Sequence, residues 1–492
     1  MGIGSLRRFP VRIPAIPPTA WVVGGTALLA PWVGILALTA RGRWVALGLL
    51  GLLAFPALLS LSRYAVEGIL FASLFVPLTL STGSQSPLVS SLLLTAPFGG
   101  LWLLRLAFGR ETVGATHGTP TWPRTAATVP LLGFMAVSVL SFFWGEIWRD
   151  PRIPPWFLFR ARLGGLGVML LSPLAFWLAA AHLHHPRQVD RLVGMFFLAG
   201  SLGAVEILAG RPLFPFLNTR GLFSLWLVSF GTAFLLFRPM SVWLRAGLLG
   251  TLGIWGWRVL IPGISWISGW LPPLAALLVV AWLRSRRLFF LFLLLLLIAG
   301  ALYWGPLQYW VFEYNYAESG VTRFEAWRLN WQVTRDHLLF GTGPAGYAAY
   351  YMTYYPDRAM ATHNNYLDVL SQTGVVGLVF FLWFLVVLGR EIYRIWRWAR
   401  VADHQGRSLA AGLIGGFTGV LLAMGLGDWF LPFPYTQTIA GYQYTVWGWI
   451  FAGAALAMGR YYRSLRRHSL YASRVRSRRQ HEPDAIGHPG DL

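Results

Sequence analysis

Residues 284–304 read RSRRLFFLFLLLLLIAGALYW. Three arginines stand at the front, and no charged residue follows from Leu288 to Trp304. A run of this kind is stable as a helix in hydrocarbon, where the helix satisfies its own backbone polar groups. The arginines beside it hold that end at a cytoplasmic surface. The same pattern recurs in both directions along the chain. Candidate spans lie near 20–40, 44–62, 67–83, 88–107, 128–145, 163–183, 192–209, 220–237, 246–264, 267–283, 288–304, 374–389, 409–428 and 439–459. That makes about 12–14 spans at ~20 residues each. The stretch WRVLIPGISWISGWLPP, residues 257–273, is broken by proline and glycine. It reads either as the joint of a pair of spans or as a re-entrant piece. The expected fold is all-α, a polytopic transmembrane helical bundle.

Composition agrees. Of 492 residues, 56% are hydrophobic and 12% charged, about half the charge of a soluble domain. The net charge of +22 could suggest nucleic acid, but its distribution argues against that partner. All the basic residues are arginines, and they fall in short connectors and in the tail. Such clusters beside spans set topology and attract anionic membrane lipid. With no cysteine, disulfides, thiolate metal sites and cysteine nucleophiles are excluded. Arg7, Arg8 and Arg12 precede the run 20–40, which reads as a retained signal anchor.

An N-terminus in the cytoplasm puts Arg105, Arg187, Arg191, Arg238, Arg245, Arg284 and Arg390 inside, as the positive-inside rule requires. One connector disagrees. Residues 146–162 fall outside with Arg149, Arg152, Arg160 and Arg162, which marks either a topology error or a functional anion site. The expected organisation is therefore helices with short loops over 1–304, an extracytoplasmic loop over 305–373, helices over 374–459, and a basic cytoplasmic tail over 460–492.

Chemistry is expected in 305–373. A long loop in a compact protein is usually functional, and this one carries Glu313, Glu318, Glu325, Asp336, Asp357 and Asp368. It opens with TRFEAWRLNWQVTRDHLLFG, in which Arg323, Trp327, Asn330 and Thr334 share one helical face. Read blandly, this is an interfacial helix whose arginines reach lipid phosphate. GTGPAG (341–346) ends it, without the Gly-Lys-Ser/Thr of a phosphate loop. Tyr347, Tyr350, Tyr351, Tyr354 and Tyr355 form a stripe, either belt residues at the membrane interface or a platform for sugar rings. Then comes ATHNNYLDVLSQTGVVG, residues 361–377. Thr362 is expected to cap a helix whose first turn holds His363, Asn364 and Asn365, with a break at Thr373-Gly374. A histidine at a helix N-terminus is held neutral by the dipole, ready to accept a proton. No metal motif is evident. Elsewhere, RPLFPFLNTRGLF (211–223) presents Asn218 and Arg220 at the start of a span, and Arg258 sits in the broken segment. Arginine is the expected partner of a diphosphate, because its planar fork binds two oxygens at once.

The run RFEAWRLNWQVTRDHLLFGTGPAGY, followed by THNNYLDVLSQTGVVGL, resembles the signature of the O-antigen ligase and polymerase superfamily. The shared features are an arginine before a tryptophan-containing helix, a Gly-x-Gly turn, and a His-Asn-x-Tyr-Leu motif leading to a span that starts with Gly-x-x-Gly. The resemblance implies a GT-C-like membrane glycosyltransferase in the cytoplasmic (inner) membrane, with its active site on the extracytoplasmic side. It implies an undecaprenyl-type polyprenyl-diphosphate-linked glycan as donor, inversion at the anomeric carbon, and no metal or other cofactor. The family's loop histidine corresponds to His363, its neighbouring asparagine to Asn364, and the arginine ahead of the loop helix to Arg323. Arg220 corresponds to a second arginine near an earlier span end.

Together these give an expected mechanism. Arg323 and Arg220 stabilise the departing diphosphate, assisted by Arg328 or Arg258. Neutral His363 deprotonates the acceptor hydroxyl, with Glu325 the next base to consider. Asn364 holds acceptor or ring, and Asn218 belongs with Arg220. The acceptor, whether glycan, lipid or protein, decides among ligase, polymerase and protein O-oligosaccharyltransferase. A transporter or flippase for lipid-linked oligosaccharides is the rival class. It calls for ionisable groups at midplane depth in several spans, and these spans are nearly free of them.

Overall fold

The computed structural model describes residues 59–81, 87–108, 122–123, 125–314, 321–356, 361–433 and 439–481. The expected spans 20–40 and most of 44–62, with the proposed anchor, lie outside the described residues. The chain divides at Tyr64 into two compact units. In the first, only 59–64 are described, and they are helical.

The second unit is a helical bundle. Its elements are α1 (Ala65–Phe75), a two-stranded antiparallel ladder of β1 (Thr79–Leu80) with β2 (Leu88–Val89), α2 (Ser90–Phe108), α3 (Thr128–Ile147), α4 (Phe159–His182) and α5 (Pro186–Ala209). There follow α6 (Phe223–Phe237), α7 (Val242–Leu260), α8 (Ile267–Arg284), α9 (Arg286–Leu302), α10 (Val321–Thr334) and α11 (Tyr347–Tyr354). The last three are α12 (Asn365–Ala402), α13 (His404–Met424) and α14 (Tyr442–His481). Among the described residues, seven helices are long and apolar enough to cross a membrane. Counting α9 with its 82° bent continuation Trp304–Trp310 makes eight, fewer than the 12–14 expected. Some expected spans are shorter helices. Pro77 follows closely on α1 and takes the chain out of helix, and α6 has 15 residues. The broken region resolves into two helices, α7 and α8, joined by Ile261–Trp266.

Close backbone approach builds the core. Gly412, Gly415, Gly416 and Gly419 line one face of α13 at helical spacing. A methyl group at Gly415 would stand 3.0 Å from Ala276 O of α8, and one at Gly412 2.3 Å from Phe230 Cδ1 of α6. Small residues let membrane helices pack by van der Waals contact, which replaces the missing hydrophobic drive in lipid. Trp226, Phe230, Phe196, Phe223, Trp447 and Phe451 fill the centre, with Trp226 and Phe451 rings 4.6 Å apart.

The two ends of the bundle differ. At one end arginines are paired. Arg238 holds Asp190 at 2.7 Å, Glu391 takes Arg394 at 2.6 Å and Arg463 at 3.5 Å, and Arg460 donates to Ala180 O. The basic tail thus begins as a continuation of α14. At the other end sits the expected long loop, which is a helical cap with a small core of its own: Ile153, Leu329, Val333, Tyr347, Tyr351 and Phe433. The outward connector 146–162 folds into this cap. Arg162 is buried against Glu146 at 2.5 Å, and Arg149 donates to Ile153 O. Two of its four arginines therefore serve packing, which accounts for part of the breach of the positive-inside pattern.

Gly374 breaks α12 as expected, with φ 68° and ψ −171°. The break lets Val375 N–H reach Leu338 O at 2.8 Å, and a Cβ there would stand 2.2 Å from Leu339 O. Replacing Gly374 with alanine adds both left-handed strain and a backbone clash. Gly374→Ala is expected to destabilise by more than about 2 kcal/mol, whereas Gly250→Ala, in open space on α7, should be neutral or slightly stabilising. Thermal unfolding of both variants in detergent checks this, and equal melting temperatures would contradict it.

Candidate active site

Four pieces of chain meet above the start of α12: the segment 361–364, α10, α11, and the connector 425–433 after α13. Thr362 is the first fixed point. Its carbonyl accepts from Trp327 Nε1 of α10 at 2.7 Å. Its hydroxyl donates to Asp368 Oδ1 at 2.5 Å and accepts from Asn364 N–H at 3.2 Å. The cap of α12 is Asn364, whose Oδ1 accepts from Tyr366 N and Leu367 N at 3.0 and 3.2 Å. The expected cap at Thr362 is therefore corrected by two residues. Asparagine caps as well as threonine does, and Thr362 already has Asp368 to serve. His363 lies outside the helix, in the left-handed region at φ 47°, a conformation that costs a non-glycine residue on the order of 1 kcal/mol. Asn364, expected to hold substrate, spends its oxygen on the cap.

Asn365 forms the second fixed point and is fully buried. Its Oδ1 accepts from Phe430 N and Leu431 N at 2.9 and 3.3 Å, and its Nδ2 donates to Leu431 O at 2.7 Å. This clasp draws Asp428 into the site, fully buried, with Oδ2 3.8 Å from His363 Nδ1.

Asp428 and Asp368 form a carboxyl pair. Asp368 receives hydroxyls from Thr362 and from Tyr347, the latter at 2.7 Å. Burial, then the nearby Asp368 carboxylate, push Asp428 well above its ordinary pKa, and Arg323 pulls the other way. Asp428 is accordingly disfavoured as an anion. That is why it does not hold His363 charged despite the short separation. Burial first, and the Arg323 cation second, lower the His363 pKa below the ordinary 6.5, with Asp368 opposing. The imidazole is thus neutral, as expected, but through desolvation and a cation, not a helix dipole. Arg323 is itself half-buried, desolvation lowers its pKa, and its Nε is buried with no hydrogen-bond partner among the described residues. A buried guanidinium edge left open in this way favours an anion.

The remaining expected residues separate. Glu325 lies two residues beyond Arg323, about 200° around α10, and does not share its face. Arg328 is exposed. Asn218 is structural: its Nδ2 donates to Ser73 O at 2.9 Å, and its Oδ1 accepts from Arg220 N. Arg220 is exposed, and Tyr444 lies within electrostatic range of both Arg220 and Asp428, which places Arg220 at the rim. Arg258 faces a separate hollow of about 540 Å³ shared with Glu206, Arg211 and Trp266. Trp266 packs on Trp429, ring centroids 5.6 Å apart, beside Asp428. Sequence reasoning missed Asp428, the pairing role of Asp368, and Asn365. The only signal for Asp428 was an acid in GLGDWFLPF immediately after an apolar run. The tyrosine stripe is not a membrane belt, since Tyr347 and Tyr351 are buried and hold Asp368 and Ala326 O.

Residues 263–382 match the family model described as O-Antigen ligase. Over these residues the chain is similar to that family, which supports the O-antigen ligase and polymerase superfamily. The match supports a membrane protein of the glycosyltransferase type. The matched segment runs from the α7–α8 joint into α12, so it includes Arg323 and His363 but ends before Asp428. No curated protein matches the chain.

Asn365→Ala removes the clasp and leaves two buried N–H groups and a carbonyl unpaired. The expected cost is on the order of 3 kcal/mol, with loss of protection in 425–433 by hydrogen exchange. Unchanged exchange there would show that the connector is held some other way.

Proposed function

We propose that the chain transfers a glycan from a polyprenyl-diphosphate carrier to an acceptor hydroxyl, on the extracytoplasmic face of the cytoplasmic membrane. The observation that carries this reading is the pairing, in one site, of a neutral histidine with a half-buried guanidinium whose Nε has no hydrogen-bond partner among the described residues. In the reaction, the acceptor oxygen forms a bond to the anomeric carbon as the bond from that carbon to the phosphate oxygen breaks. The acceptor proton goes to His363, and the electron pair leaves with the diphosphate. Attack opposite the leaving group inverts the anomeric centre.

Each residue has a task in that sequence. Arg323 meets charge as it develops on the leaving oxygens, in a poorly hydrated place where such an interaction is strong. His363 accepts the proton, and the Asp368 carboxylate nearby favours the imidazolium that forms. Arg220 at the rim receives the diphosphate as it enters or leaves. No metal is invoked in this scheme. The extracytoplasmic assignment is supported by the arginine-rich connectors, which gather at the opposite end of the bundle. A ligase reading is preferred; a polymerase or a protein O-oligosaccharyltransferase uses the same steps with another acceptor.

In a detergent assay with a fluorescent polyprenyl-diphosphate glycan, His363→Ala is expected to lower kcat by about 10²–10⁴, and Arg323→Ala by about 10²–10³. Arg328→Ala should stay within a few-fold, and chelator should have no effect. Full turnover by His363→Ala would remove the histidine from the mechanism. The pH profile gives an independent check. Because the His363 pKa lies below 6.5, the rate should hold steady at neutral pH and fall only as pH drops through a lower value. In Arg323→Gln the residual rate should show its acid limb at higher pH, since a cation that depresses the imidazole has gone. A limb that stays put would contradict the electrostatic assignment.

A further inference from the structure

Beyond the reaction centre, the cap holds a hollow of about 980 Å³, near the upper end of the roughly 300–1,000 Å³ range of ligand sites. It lies between the connector after α3, the end of α10 and the end of α11. Its walls mix aromatic faces with fixed polar edges. Trp148 is 59% exposed yet lies stacked on Trp144, rings 5.9 Å apart and 14° from parallel. An exposed indole held flat in this way is a preorganised surface. The hollow is also lined by Tyr354, with Arg152 over its ring at 5.9 Å and the Asp150 carboxylate near its hydroxyl.

The charges of the hollow are largely committed to each other. Arg335 lies 3.6 Å from Asp336, Arg149 lies 3.9 Å from Glu146, and Asp150 accepts from Arg152 N–H at 2.9 Å. Such a balance does not select a polyanion, so the anion-site reading of this connector is not favoured. It offers instead many donors and acceptors in fixed directions. His337 adds one more. The residue is 8% exposed, and its Nδ1 is buried with no partner among the described residues. A buried nitrogen without an acceptor is better left unprotonated, so the proton sits on Nε2, the edge left to reach the hollow.

Flat aromatic faces flanked by neutral sets of donors and acceptors suit one ligand chemistry. Sugar rings present apolar C–H faces and hydroxyl edges, and need both. Position points the same way. Tyr347 and Tyr351, on one edge of α11, serve Asp368 and α10, while Tyr350 and Tyr354, on the other, line the hollow. Tyr347 and Tyr354 lie about 10 Å apart along the helix axis, a separation that a chain of a few sugars bridges.

We propose that this hollow is a saccharide-binding subsite, which holds sugar units of a glycan substrate a few residues away from the bond being made. The inference rests on glycan transfer at His363 for its biological use, but not for its binding test. The probe is the glycan released by mild acid from the polyprenyl-linked fraction of the native cells, labelled at its reducing end. Wild type and His363→Ala should bind it equally, while Trp148→Ala and Tyr354→Ala should bind about tenfold more weakly or worse, with melting temperatures near wild type. Trp148→Phe, which keeps a ring, should recover part of the affinity. In the transfer assay the KM of the long-glycan substrate should rise about tenfold relative to that of a single-sugar substrate. Whichever KM moves, donor or acceptor, names the glycan that is held. Equal binding by wild type and both alanine variants, or no binding by wild type, overturns the subsite. Normal transfer by His363→Ala with binding lost in the hollow variants would instead overturn the reaction-centre assignment and leave the subsite standing.

Discussion

Asn365 sits one residue past the cap of α12, out of contact with water, and its side-chain amide holds two N–H groups and a carbonyl of residues 430–431. Without that clasp, Asp428 has no reason to lie under His363, because the two are more than sixty residues apart in sequence and come from different connectors. The clasp also closes the small core of the cap, since Phe433, just beyond, stacks on Tyr347 at 4.6 Å. Tyr347 in turn holds Asp368. One buried amide thus sets the geometry of the carboxyl pair, and the carboxyl pair sets the electrostatic surroundings of the histidine.

The site is built with polar groups left open. The buried Arg323 Nε and the buried Asp428 carboxyl, both without a hydrogen-bond partner among the described residues, cost free energy in the resting protein. Local rules of folding would remove them, and their persistence is tied to what arrives. In the proposed reaction, the departing diphosphate would offer the guanidinium an anion, and the acceptor proton would give the imidazole the charge that Asp368 favours. Preorganisation of this kind places the cost in folding and not in the chemical step.

The sequence was readable where the information is local. Apolar runs located α2 to α5, α8 and α13 closely. The break at Gly374 was legible, because glycine before a hydrophobic run stands out. Arg323 and His363 were singled out by a motif and a resemblance, and the structure brings the two within electrostatic range of each other. Legibility ended where residues act through distant partners. Asp428 looked like an ordinary acid at a span end, since nothing nearby in sequence reveals a carboxyl partner reached by tertiary packing. Asn218 and Asn364 looked like ligands, yet both amides serve the backbone, because asparagine in a turn or cap meets local N–H groups first. Tyr347 and Tyr351 looked like interface residues, because periodicity cannot tell a face turned to lipid headgroups from one turned to a small core.

The continuity of α14 bears on how the tail meets the membrane. The helix runs without interruption from Tyr442 to His481, roughly 60 Å at 1.5 Å per residue, about twice the thickness of bilayer hydrocarbon. Its end at His481 therefore stands about 20 Å along the axis beyond Arg467. The backbone carries the tail as a strut, not as a tether free to lie down. A rod of this length fixes how far from the bundle the tail reaches, which a flexible linker would leave open.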